Sequence, residues 1–84
     1  MMDEFFQVLC TAIHGDHSMQ FSWMLGNETV YPSDRIRIDY TKRSSTLSIE
    51  SVSGDDAGNY TCVVSNRAGA TKEAVELVVK GYSN

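Results

Sequence analysis

Two cysteines stand in this chain, Cys10 and Cys62, and the residues set around them constrain its fold more than anything else it carries. Trp23 comes thirteen residues after the first, and the second closes the run Asp56-Ala57-Gly58-Asn59-Tyr60-Thr61-Cys62. The stretch leading into each cysteine reads as a strand. Turn-forming residues separate short apolar runs, the single proline, Pro32, falls in a connection, and no helix-period stretch is long enough to compete. The pattern predicts an all-β domain.

Alternation assigns the faces. A strand over 5–13 puts Phe6, Val8, Cys10 and Ala12 on the inner side, and His14-Gly15-Asp16-His17 turns the chain. A strand over 19–25 turns Phe21 and Trp23 inward. Gly26-Asn27-Glu28 makes the next turn, before a short strand at 29–31. Ile36 and Ile38 face inward from 35–40, and Lys42-Arg43-Ser44 forms a polar hairpin tip. Leu47 and Ile49 face inward from 45–51, and Val52 closes the core. Tyr60, Cys62 and Val64 face inward from 59–66. Asn66-Arg67-Ala68-Gly69 leads into a strand over 70–79, with Val75, Leu77 and Val79 inward. Two antiparallel sheets follow, one from 5–13, 45–51 and 35–40, the other from 19–25, 59–66 and 70–79.

A Cys–Trp–Cys spacing with Tyr two residues before the second Cys marks an immunoglobulin sandwich. The chain resembles intermediate-type (I-set) immunoglobulin domains. Ser45-Thr46-Leu47-Ser48-Ile49-Glu50-Ser51-Val52 and Asp56 through Gly69 follow the I-set pattern almost position by position, and with Cys10 and Trp23 the resemblance covers 5–80. It implies an immunoglobulin-like two-sheet Greek-key sandwich with Trp23, Tyr60 and Leu47 in the core. A Cys10–Cys62 disulfide would close a loop of 52 residues, worth about 4 kcal/mol on the chain-entropy model. The alternative is a pair of buried free thiols, as in cytosolic muscle immunoglobulin domains. The resemblance also gives Tyr60 a corner role, its hydroxyl bonding a carbonyl upstream, and pairs Arg35 with Asp56, whose carboxylate an arginine fork can grip bidentately. Only nine residues precede Cys10, so strands A and A′ of the family are expected to be largely missing, leaving two sheet edges bare. Residues 1–4 then read as a truncated start, with Met1 an expression start, and 81–84 as the beginning of a linker.

At 84 residues the chain is one small domain, burying about 60–65% of its extended surface and needing a staple. Its net charge of −4 and the lack of a basic patch argue against nucleic-acid binding. No apolar run reaches the ~20 residues of a membrane span, and the start, acidic ahead of its apolar residues, is unlike a signal peptide, as expected of a piece cut from a longer, membrane-anchored parent. His14, Asp16 and His17 could tempt a metal reading, but no third ligand or orienting helix accompanies them. No nucleophile elbow or triad is legible. Neither an enzyme activity nor a cofactor or metal is expected. Two N-glycosylation sequons, Asn27-Glu28-Thr29 and Asn59-Tyr60-Thr61, favour a secreted, extracellular domain.

Finer features resemble the Down syndrome cell adhesion molecule family of arthropods, including the variable N-terminal domains of its shortened chelicerate forms: Cys10-Thr11-Ala12-Ile13-His14-Gly15-Asp16, Phe21-Ser22-Trp23-Met24-Leu25-Gly26-Asn27 and Ser44-Ser45-Thr46-Leu47-Ser48-Ile49. His17-Ser18 departs from it, where many members have a proline. The resemblance implies isoform-specific homophilic adhesion at the cell surface. Alternation turns Gln7, Leu9, Thr11, Arg37, Asp39, Thr46 and Ser48 outward on one sheet, a flat face that a two-fold contact could match with its own copy. The second sheet turns Met24 and Val63 outward and is the competing surface. Competing functions are ligand binding as a growth-factor or guidance-receptor domain, and a structural spacer.

Overall fold

The computed structural model describes residues 4–12, 19–67 and 69–79. The elements in chain order are β1 (Phe6–Thr11), β2 (Gln20–Leu25), β3 (Glu28–Thr29), β4 (Ile36–Tyr40), β5 (Ser44–Ile49), a 3-10 turn (Gly54–Asp56), β6 (Gly58–Asn66) and β7 (Gly69–Leu77). They form two antiparallel sheets, ordered β1-β5-β4 and β3-β2-β6-β7. The expected sandwich is present with its expected strand partition. The His14, Asp16 and His17 cluster and the segment 81–84 lie outside the described residues.

Strand alternation produces the core. Val8 pairs with Leu47 and Cys10 with Ser45 across β1 and β5, while Trp23 pairs with Cys62 across β2 and β6. The inner faces of the two sheets meet around Cys10, Trp23, Leu47, Ile49, Tyr60 and Cys62, all buried. Phe6, Phe21, Ile36, Ile38, Val52 and Val64 pack against this cluster from its margins. Cys10 and Cys62 are joined in a disulfide. It links β1 to β6 and so ties one sheet to the other, the bridged alternative of the two.

A buried polar residue on the inner face escaped the sequence reading. Ser45 lies on the inner face, 1% exposed, and its Oγ accepts the Trp23 Nε1–H bond at 2.9 Å. The indole therefore buries its only polar group without loss. A serine among apolar alternating residues gives no sign of this from sequence, because its partner stands 22 positions away.

The flank between β1 and β7 corrects one expectation. Each of these strands is an edge of its sheet, and among the described residues no strand precedes β1. Val75 pairs with Tyr60 and so faces inward by register, yet it is 40% exposed. Alternation sets a side chain's direction without supplying a full cover. A cavity of about 490 Å³ opens along the same flank, reaching Cys10, Val64 and Glu73.

Candidate recognition surface

The end of the sandwich below the core is locked by one charged group. Arg35 Nη1 donates to Asp56 Oδ2 at 3.1 Å and Nη2 to Oδ1 at 3.2 Å, the bidentate grip expected. Nη1 also lies within reach of the Glu50 and Ser51 carbonyls, at 3.2 and 3.3 Å. Asp56 is buried and accepts the Ser53 amide at 2.8 Å. Burial alone would raise its carboxyl pKa. The Arg35 hydrogen bond, the Ser53 amide and the Arg35 charge outweigh that and hold it below the ordinary value. Tyr60 donates its hydroxyl proton to the Asp56 carbonyl, the corner role expected. Burial first, then the Asp56 charge, push the phenol above its ordinary value. These groups are all engaged in holding the β5–β6 connection.

Gly58 opens β6 beside this corner at φ +144°. A Cβ there would sit 2.9 Å from Leu25 Cδ1, the end of a side chain that can turn aside, so the backbone conformation is what calls for glycine.

The outer face of β1-β5-β4 is built in cross-strand rows. Gln7, Ser48 and Arg37 form one, because Ser48 is the Cα partner of both others. Leu9, Thr46 and Asp39 form the next. Thr11 pairs with Ser44 at the far end. All seven residues singled out from sequence therefore share this face. Leu9, on the edge strand β1, is 62% exposed. Ser48 is an exception in exposure. It is only 6% exposed and accepts a bond from Gln7 Nε2 at 3.0 Å, so it backs the face and presents little surface of its own.

Phe5 was missed. It is 60% exposed and, with Gln7 and Arg37, borders a shallow groove of about 270 Å³ beside this face. Its odd position, shared with Gln7 and Leu9, was the available signal. Arg37 and Asp39 stand two positions apart on the edge strand β4, both exposed. Among the described residues no cluster of three or more His, Cys, Asp or Glu could hold a metal ion.

A two-layer sandwich joined by a central disulfide, with a tryptophan over the bridge and a tyrosine at the corner, defines an immunoglobulin-type domain. The family model described as Immunoglobulin I-set domain matches residues 4–79, and the chain belongs to that family. It is 30% identical over 71 residues to cell adhesion molecule DSCAML1 of Mus musculus, a match covering 84% of this chain and 4% of that protein. The chain thus spans a small fraction of the length of this curated relative. Among solved structures, the Dscam1 Ig7 domain, isoform 9, superposes with a TM-score of 0.85 at 26% identity, covering 90% of this chain and 81% of that one. The M1 domain from titin does so with a TM-score of 0.85 at 28% identity, covering 95% and 82%. The fold is thus shared by a Dscam1 domain and a titin domain alike.

Proposed function

We propose that this chain is an extracellular adhesion module that recognises a second copy of itself through the outer face of β1-β5-β4, with neither catalysis nor a cofactor. The observation that carries this reading is the self-complementary layout of the face. Leu9 stands exposed on the edge strand β1, with Arg37 and Asp39 in adjacent rows across the face on β4. A two-fold contact brings Leu9 toward its twin and lets Arg37 of one copy meet Asp39 of the other. Single contacts of this kind are weak, and many tethered copies on a membrane-anchored parent supply strength. The disulfide supports an oxidising compartment, and the adhesion relatives support the cell surface.

Sedimentation over a concentration series tests the reading. Self-association is expected. Leu9→Arg removes an apolar anchor and sets like charges together, weakening the dimer by about 30-fold or more. Met24→Arg on the other sheet leaves it unchanged. The reverse pattern moves the contact to the second sheet, and a chain monomeric at every concentration defeats self-recognition. The similarity to the M1 domain of titin favours the spacer as second reading, and a monomer whose thiols stay reduced in the cell of origin supports it.

A further inference from the structure

The two sequons lie far apart in the chain and side by side in the fold. Met24 is the Cα partner of Thr29 on β3 and of Thr61 on β6. Directly paired residues share a face, so the two sequon threonines flank one methionine in a single row. That row lies on the outer face of the four-stranded sheet, since Trp23 and Tyr60 point the other way into the core. Asn59 shares the parity of Thr61 and is exposed, and Asn27 is exposed in the turn joining β2 to β3. The Gly26 amide donates to the Asn59 carbonyl at 3.2 Å, tying that turn to β6. The outer face of β1-β5-β4 contains no asparagine.

We propose that Asn27 and Asn59 both carry N-linked glycans and that the pair screens the outer face of the four-stranded sheet, leaving β1-β5-β4 as the sheet face open to a partner. The proposal rests on the extracellular reading above, because the glycan donor is a lipid-diphosphate oligosaccharide of the secretory pathway. In the transfer, the asparagine side-chain nitrogen bonds to the anomeric carbon of the first sugar. The bond from that carbon to the diphosphate oxygen breaks, the lipid diphosphate leaves, and the amide gives up one proton to a base. Transfer acts on the chain before it folds. In the folded domain both asparagines stand exposed, so neither glycan has to displace the core.

The test uses the whole chain secreted from animal cells behind a leader. Digestion with a peptide N-glycosidase is expected to remove two glycans by intact mass and convert both asparagines to aspartate. Asn27→Gln and Asn59→Gln are each expected to lose one. Loss of fewer than two from the secreted chain overturns the proposal. Screening is read by mild acetylation of lysines. Lys72 pairs with Val63 on the glycan-bearing sheet, whereas Lys42 sits in the β4–β5 connection. Glycosidase treatment is expected to speed modification of Lys72 severalfold and leave Lys42 unchanged, and equal Lys72 rates overturn the screen. Sedimentation of the same samples separates this proposal from the adhesion reading. Dimers that persist with glycans attached support both. Dimers that form only after deglycosylation support the screen and refute the assigned contact face. A monomer in both samples refutes self-recognition, while glycan mass and the Lys72 rate still decide the screen.

Discussion

Reducing the Cys10–Cys62 bridge leaves every side chain in place and removes one covalent constraint. The two residues are 52 positions apart. The chain-entropy relation for that loop gives about 14 cal/mol/K, or about 4 kcal/mol at 25 °C. A domain of 84 residues has a total stability of about 4–13 kcal/mol, so this is a large fraction of the whole. Its unfolding entropy near the midpoint is about 180 cal/mol/K, which converts the loss to a Tm lower by about 20–25 °C. Urea titration of oxidised and fully reduced protein measures the difference. The denaturant slope is a second readout, because an open denatured chain exposes more surface than a looped one, so m is expected to rise on reduction. A stability change under about 1 kcal/mol refutes the loop argument. A change near 4 kcal/mol with identical m also refutes it, placing the effect in folded-state packing around Trp23.

Three further outcomes follow from the core and the corner. Ser45→Ala strands the buried Trp23 N–H and is expected to cost about 1–3 kcal/mol in urea titration; an unchanged midpoint refutes the bond's importance. Gly58→Ala forces a left-handed φ and a 2.9 Å approach to Leu25, with an expected loss of about 1–3 kcal/mol, and a neutral result shows that β6 can shift there. Asp56 has a folded pKa below its unfolded value, which lies near ~4. Its contribution is therefore present above that pH and lost as pH falls through the lowered folded value. Thermal melts between neutral and acid pH should show a steeper acid loss for the native chain than for Asp56→Asn, and identical slopes refute the assignment.

Legibility followed the range of the interactions. Strand faces were readable at Phe6-Val8-Cys10 and Tyr60-Cys62-Val64 because alternation is local and a one-residue slip would turn each set to solvent. The Arg35–Asp56 grip and the Tyr60 corner were readable because the I-set pattern fixes their positions. Ser45 was not, since a buried serine and a surface serine look alike until its partner is known. Val75 was given the right direction but not its exposure, which depends on what lies across the β1–β7 flank. Ser48 and Phe5 show the same limit at the proposed contact face, where parity assigns a side and neighbours decide how much surface remains.

Composition, periodicity and the Cys–Trp–Cys spacing were enough, by themselves, to dictate an all-β sandwich over a helical fold, because those properties depend on residues close in sequence. Whether the two sulfurs meet, what satisfies the indole, and the meeting of two distant sequons in one row beside Met24 were decided only by strand pairing, which brings together residues tens of positions apart. Burial and hydrogen bonding are properties of neighbours in space, and a linear pattern does not contain them.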